Sequence, residues 1–259
     1  MNKMKISILG ISLDQGTFAE TLQKCEVWLR EVIAMPHQIV TVNPEFVMEA
    51  QKNERFLKVL SSADLRITDG VGLVFGSLFL YGWGNRLHRC TGVDVTWGLA
   101  ELCFRNKKTI YLVGASDGIA KGVAIRAAAV LEKKFPGIIV GAEDGLSRAS
   151  QYEDDDIQTS ALCDRMRAVQ PDIVLIAVGA PKQDIWIAGH MHSVPSVRIA
   201  LGIGGTLDYI AGVVPRAPRA FRKLGFEWLY RLVHQPHRIS RIITATIHYP
   251  LAVLRQKFF

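Results

Sequence analysis

Three polar side chains stand at the ends of two strand-like runs, and their types suit chemistry. Residues 39–42 are apolar apart from Thr41 and lead into Asn43-Pro44, and residues 65–68 lead into Asp69-Gly70. A helical pattern separates the two runs. Parallel strands joined by one helix put both C-terminal ends on one edge of a sheet. Open α/β sheets bind ligands at that edge, so Thr41, Asn43 and Asp69 would face one crevice. An Asp before Gly at a strand end is commonly a turn residue. On a crevice wall, the same carboxylate is suited to take a proton from an attacking hydroxyl. Thr41 and Asn43 would offer neutral hydrogen bonds to a sugar, or would cap the backbone ahead of Pro44.

A second candidate is Gly179-Ala180-Pro181-Lys182-Gln183-Asp184, between an apolar strand and a helix. Backbone N–H groups at a helix start attract anions, Lys182 adds charge and Gln183 can bond a base or sugar. It also reads as an ordinary strand-to-helix connection. Gly202-Ile203-Gly204-Gly205 lacks the third glycine of a dinucleotide fingerprint, with Leu207 in its place. Metals find little: Asp154-Asp155-Asp156 contains a D-x-D, but in a hydrophilic run at an expected helix start, where acids stabilise the dipole. His190/His192 and His234/His237 lack carboxylate or cysteine company.

These residues need an α/β frame to hold them. Residues 4–13 read as a strand or short hairpin bent at Gly10, and Thr17 as the cap of a helix to about residue 34. One helix is expected over 44–60. Short helices follow within 70–92 and over 93–104, with Arg86 and Arg89 on an irregular loop. Strands are expected over 109–113, 138–140, 173–178 and 198–203, with a polar loop over 141–156. The 173–178 run is the most apolar, hence central. The alternation predicts a mostly parallel sheet. It gives way near Pro215 to basic, aromatic helices, which divides the chain into 1–214 and a 215–259 appendage.

The chain has 259 residues, 49% of them hydrophobic, enough for a sizeable core. No window offers the ~18 apolar residues that cross a bilayer, and no secretory signal is expected. Four scattered cysteines suit a reducing compartment. The net charge of +7 is unevenly placed. From Arg216 onward there are nine Lys/Arg and one acid, Glu227, which leaves 22 basic and 23 acidic residues upstream. An anionic partner is therefore expected for the tail, either a lipid headgroup, a diphosphate or nucleic acid. Nothing reads as a groove-entering nucleic-acid motif. Phe221, Leu224, Trp228 and Leu232 share a helical face, as do Ile239, Ile242, Ile243 and Ile247. Both faces suit closing the core or lying at a membrane interface.

Several ordered blocks give the chain a family likeness. They are Thr41-Val42-Asn43, Thr68-Asp69-Gly70-Val71-Gly72, Arg89-Cys90-Thr91-Gly92-Val93-Asp94, Gly179 to Asp184, Gly202 to Asp208, Arg216-Ala217-Pro218 and Leu224 to Leu232. With these the chain resembles the WecG/TagA/CpsF glycosyltransferases of bacterial cell-surface polysaccharide synthesis, over nearly its whole length. The resemblance implies a Rossmann-like sheet with helices on both faces and an inverting, metal-independent transfer without a cofactor. The donor would be a UDP-sugar, most characteristically of N-acetylmannosamine or its uronic acid, though some relatives move glucose or other hexoses. The acceptor would be N-acetylglucosamine on a polyprenyl diphosphate, at the cytoplasmic membrane face. Carried over by match, Asp69 is the base with Thr41 beside it. Asn43, Arg89 and Gln183 belong to the substrate pocket, which Lys182 joins by its charge at the helix start, and Arg231, Arg238 and Arg241 meet the diphosphate. His88, Asp184, Gln235 and Leu146 depart from the usual pattern. Two other classes stay open on residues alone, a nucleotide-sugar oxidoreductase or epimerase and a non-catalytic membrane-binding module. Self-association is also open.

Overall fold

The computed structural model describes residues 6–31, 35–118, 120–147, 157–218, 220–221, 225, 227–234 and 239–258, with the backbone alone for Arg231 and His234. Six parallel strands form the central sheet. They are β3 (His37–Val42), β4 (Leu65–Thr68), β5 (Ile110–Ala115), β6 (Ile139–Leu146), β7 (Ile173–Ala177) and β8 (Ile199–Gly202), in the order β4-β3-β8-β7-β5-β6. All five residues of β7 are buried, as expected for a central parallel strand. Fully burying each Ile, Val or Leu there is worth about 1.5–3 kcal/mol. Because every strand runs the same way, the loops after β3, β4, β7 and β8 open on one edge.

A separate hairpin pairs β1 (Ile6–Ile8) with β2 (Ile11–Leu13). Leu9 and Gly10 both take positive φ, 49° and 79°, as a two-residue hairpin turn requires. The helix α1 (Phe18–Leu29) starts at the expected Thr17, which forms a capping box with Glu20. It ends at Leu29, earlier than expected. The single helix expected over 44–60 is two, α2 (Pro44–Ala50) and α3 (Glu54–Ser62). Asn53 breaks them: its side chain accepts from Phe56 N–H at 3.0 Å and restarts the helix.

Another correction concerns β6, which continues six residues into the expected polar loop, to Leu146. Its polar side chains have partners that compensate for an edge position. Glu143 takes Tyr111 Oη and two Arg165 bonds, of 2.9 and 2.7 Å. Asp144 accepts the N–H groups of Gly122, Val123 and Ala124 at 2.5, 3.1 and 3.1 Å. It thereby caps α6 (Val123–Lys134), and those amides are already committed where a dinucleotide pyrophosphate would need them.

Helices α1, α5 (Gly92–Asn106), α6 and α9 (Thr206–Ile210) pack one apolar cluster on one face of the sheet. α7 (Ile157–Val169) and α8 (Lys182–His190) pack a second cluster. The third joins the hairpin, α2, α3, α4 (Val71–Tyr81) and the tail. The tail runs through α10 (Glu227–His234), α11 (Ile239–Ile243), a π turn (Thr244–His248) and α12 (Tyr249–Phe258). α12 is built into the core. Tyr249 is 2% exposed and lies over Gly72 and Gly76 of α4, where no methyl group would fit at Gly76. Gln256 bonds the hairpin through Leu9 N–H at 2.8 Å, and Lys257 reaches Leu80 O at 3.0 Å. Among the described residues, no helix is long and apolar enough to cross a membrane.

Candidate active site

Asp69 follows the last residue of β4, and its N–H donates to Val42 O at 2.8 Å. The acid's main chain thus extends the β3–β4 ladder. Gly70 comes next because nothing larger fits. A Cβ there would lie 2.5 Å from Pro44 Cδ and 3.3 Å from Asn43 Cβ. On the other side, Arg89 pairs in register with Thr68 and donates from Nε to Asp69 O at 3.0 Å. Its Nη2 reaches Glu227 Oε2 of α10 at 2.6 Å.

Thr41 and Asn43 come to the same edge. Thr41 is 6% exposed, and its hydroxyl donates to Gly202 O at 3.2 Å, joining the ends of β3 and β8. Asn43 caps α2: its Oδ1 accepts Phe46 N–H at 3.1 Å, which leaves the amide nitrogen for the cavity that the residue lines. Gln183 is 1% exposed, and its Oε1 accepts from Gly179 and Gly204 N–H at 3.0 Å each. It clamps the loops after β7 and β8 together. Lys182 opens α8 on the same cavity.

Asp184 is fully buried against Gly202, where a Cβ would lie 2.5 Å from both Asp184 Oδ1 and Gln183 Nε2. Burial pushes its carboxyl up to about 7, against the opposing pull of the Gln183 amide. Burial also pushes the Cys90 thiol up to about 12, so at neutral pH it stays protonated and is no nucleophile.

Of the three tail arginines, Arg241 pairs through Nε with Glu45 in the first turn of α2. The Arg231 side chain, Arg238 and the Asp154–Asp156 run lie outside the described residues. Arg216 donates to Asp94 Oδ1 at 2.8 Å on the cavity wall. Glu45 and Glu227 are site residues that sequence reasoning did not single out. Glu227 had a signal, as the one acid in a tail with nine bases. Glu45 had none beyond a first-turn acid, which the helix dipole already explains.

Two cavities meet here. One, of about 320 Å³, lies among the loops after β3, β4, β7 and β8, with Thr41, Lys182, Gly204, Tyr209 and Arg216 on its walls. The other, of about 500 Å³, lies between α4 and the tail, with Val71, Phe75, Trp228, Ile242 and Ala245. Asn43, Glu45, Asp69, Glu227 and Arg241 line both. A carboxylate on the shared wall can take a proton from a hydroxyl held in one cavity as it attacks a carbon held in the other.

Comparison with known proteins places the chain in a family. A family model described as "Glycosyl transferase WecG/TagA/CpsF family" matches residues 6–259. Relatives from Staphylococcus aureus strains MRSA252 and NCTC 8325 are each 28% identical over 262 residues, covering 99% of this chain and 95% of theirs. Both are named N-acetylglucosaminyldiphosphoundecaprenol N-acetyl-beta-D-mannosaminyltransferase. With the match running from the first hairpin to the last helix, the chain belongs to the WecG/TagA/CpsF family of glycosyltransferases.

Proposed function

We propose that this glycosyltransferase moves N-acetylmannosamine from UDP to N-acetylglucosamine carried on a polyprenyl diphosphate, with inversion and without a metal. The observation that carries this reading is Asp69 on the wall common to a polar and a largely apolar cavity. The nucleotide sugar takes the polar cavity, against the loops after β7 and β8. The acceptor sugar enters from the apolar one, its lipid running between α4 and the tail. Asp69 takes the proton of the acceptor hydroxyl as its oxygen bonds to the anomeric carbon. The bond from that carbon to the UDP oxygen breaks on the opposite face, which inverts the centre. Thr41 and Asn43 position the sugars. Arg241, Arg231 and Arg238 offset the charge of the diphosphates, together with Lys182 at the start of α8.

In the same reading, residues 215–259 act as a basic appendage that seats the enzyme on the inner face of the cell membrane. Exposed Leu251, Leu254 and Phe258 of α12 support this, beside exposed Phe75, Phe79 and Trp83 from α4 and the turn after it. Phe258 packs edge-on against Phe79, so the two groups are continuous. Arg86 lies over the Trp83 ring at 5.8 Å, and Lys257 over Phe79, which suits a surface with an oily and an anionic layer.

The test is a reaction of UDP-N-acetylmannosamine with a short-chain lipid-diphosphate N-acetylglucosamine in EDTA, followed by mass spectrometry. A disaccharide lipid is expected. No product with this donor, when another UDP-sugar gives one, overturns the donor assignment, and a requirement for added metal overturns the metal-free mechanism.

A further inference from the structure

Glu227 is the single acid of the last 44 residues, and it faces back into the site. Its Oε2 accepts the 2.6 Å bond from Arg89 Nη2, between side chains only 13% and 25% exposed. Such a shielded, charge-assisted bond holds geometry better than a solvated surface pair. The same guanidinium donates from Nε to Asp69 O at 3.0 Å. Nearby, Cys90 N–H donates to Thr68 O at 2.6 Å, one residue before the acid. One planar guanidinium therefore joins the first residue of α10 to the main chain of Asp69.

We propose that Glu227 is a positioning residue: it fixes Arg89, and Arg89 fixes the backbone that carries Asp69, so the acid is set for chemistry only when α10 is seated. The proposal rests on Asp69 being the base. Arg89 Nε holds the Asp69 carbonyl and its Nη2 holds Glu227, and two bonds from one rigid, planar group fix the orientation of that plane. Without the Glu227 charge, the cation is drawn toward Asp69, whose carbonyl it already holds. That displaces the acid and opposes its work as a base. The tail then contributes to the reaction by completing the catalytic edge, in addition to binding substrate.

The test compares the full chain with Glu227→Gln and Glu227→Asp. It reads kcat and KM, UDP affinity, melting temperature and hydrogen exchange of the amides of residues 69–72. In Glu227→Gln, kcat falls about a hundredfold, the cost of misplacing a reacting group by about 1 Å. UDP affinity stays near wild type, and exchange at residues 69–72 quickens. Glu227→Asp, which keeps the charge on a shorter stem, recovers part of both. Wild-type kcat in Glu227→Gln overturns the proposal. So does a fall in melting temperature and UDP affinity with exchange at 69–72 unchanged, since that is the pattern of a plain structural staple. If Glu227→Gln does not fold, Glu227→Asp carries the same readouts, and wild-type exchange with undiminished kcat there overturns the proposal. The exchange readout needs no substrate. Faster exchange in the variant therefore supports the proposal even if the wild-type chain transfers a different sugar, a result that would overturn the functional reading alone.

Discussion

Replacing Gly70 by alanine isolates the position of Asp69 from its charge. Gly70 has φ −87° and ψ 134°, which alanine adopts without strain, so any effect comes from space. The new Cβ would lie 2.5 Å from Pro44 Cδ, whereas ordinary contact begins at 3.4 Å. About 1 Å of separation has to be created. Pro44 cannot easily give way, because α2 is anchored by buried Phe46, Val47 and Ala50. The turn carrying Asp69 moves instead. Overpacking of this kind costs about 1–3 kcal/mol, a fall in melting temperature of roughly 2–6 °C for a chain of this size. If Asp69 is the base as proposed, a 1 Å displacement of it lowers turnover about a hundredfold. A coupled assay of UDP release and a thermal melt read both. Gly84→Ala is the control, since nothing lies within 4 Å of a Cβ there. Gly70→Ala turnover within about twofold of wild type would show that the position of Asp69 does not depend on the space at Gly70.

Two further variants probe the buried acid and the proposed membrane-facing surface. Burial raises the Asp184 carboxyl to about 7, from an ordinary value of 3.8. Between those values the folded chain keeps a proton that the unfolded chain has released, so stability falls as pH rises through that window. Asp184→Asn removes the dependence and should stabilise the protein about 3 kcal/mol more at pH 8 than at pH 5, read by denaturant melts. Equal effects at both pH values would contradict it. Replacing Phe75 and Trp83 together by alanine should weaken sedimentation with anionic vesicles at least about tenfold, given the apolar area of two exposed aromatics. Unchanged sedimentation would remove α4 from the membrane face.

Much of the site's edge was legible because it follows from chain direction. Thr41, Asn43 and Asp69 close adjacent parallel strands, so strand-helix-strand alternation alone brings them together. What side chains do once there was harder to read. The oxygens of Asn43 and Gln183 are spent on backbone amides, a need created by the turns around them. β6 was read short because Glu143 and Asp144 look like loop residues until Tyr111, Arg165 and the start of α6 supply partners. The break at Asn53 carried a local cap signal that an unbroken apolar pattern outweighed. The Arg89–Glu227 pair spans 138 residues, so only the packed fold reveals it.

The central claim is that Asp69 acts as the base on a shared cavity wall. Asp69→Asn keeps the shape and removes the charge. Titrating UDP into the variant by calorimetry, beside its turnover with donor and lipid acceptor, tests the claim most directly. UDP affinity near wild type with turnover lowered about 10²–10⁴-fold is expected. Full turnover in Asp69→Asn would contradict it.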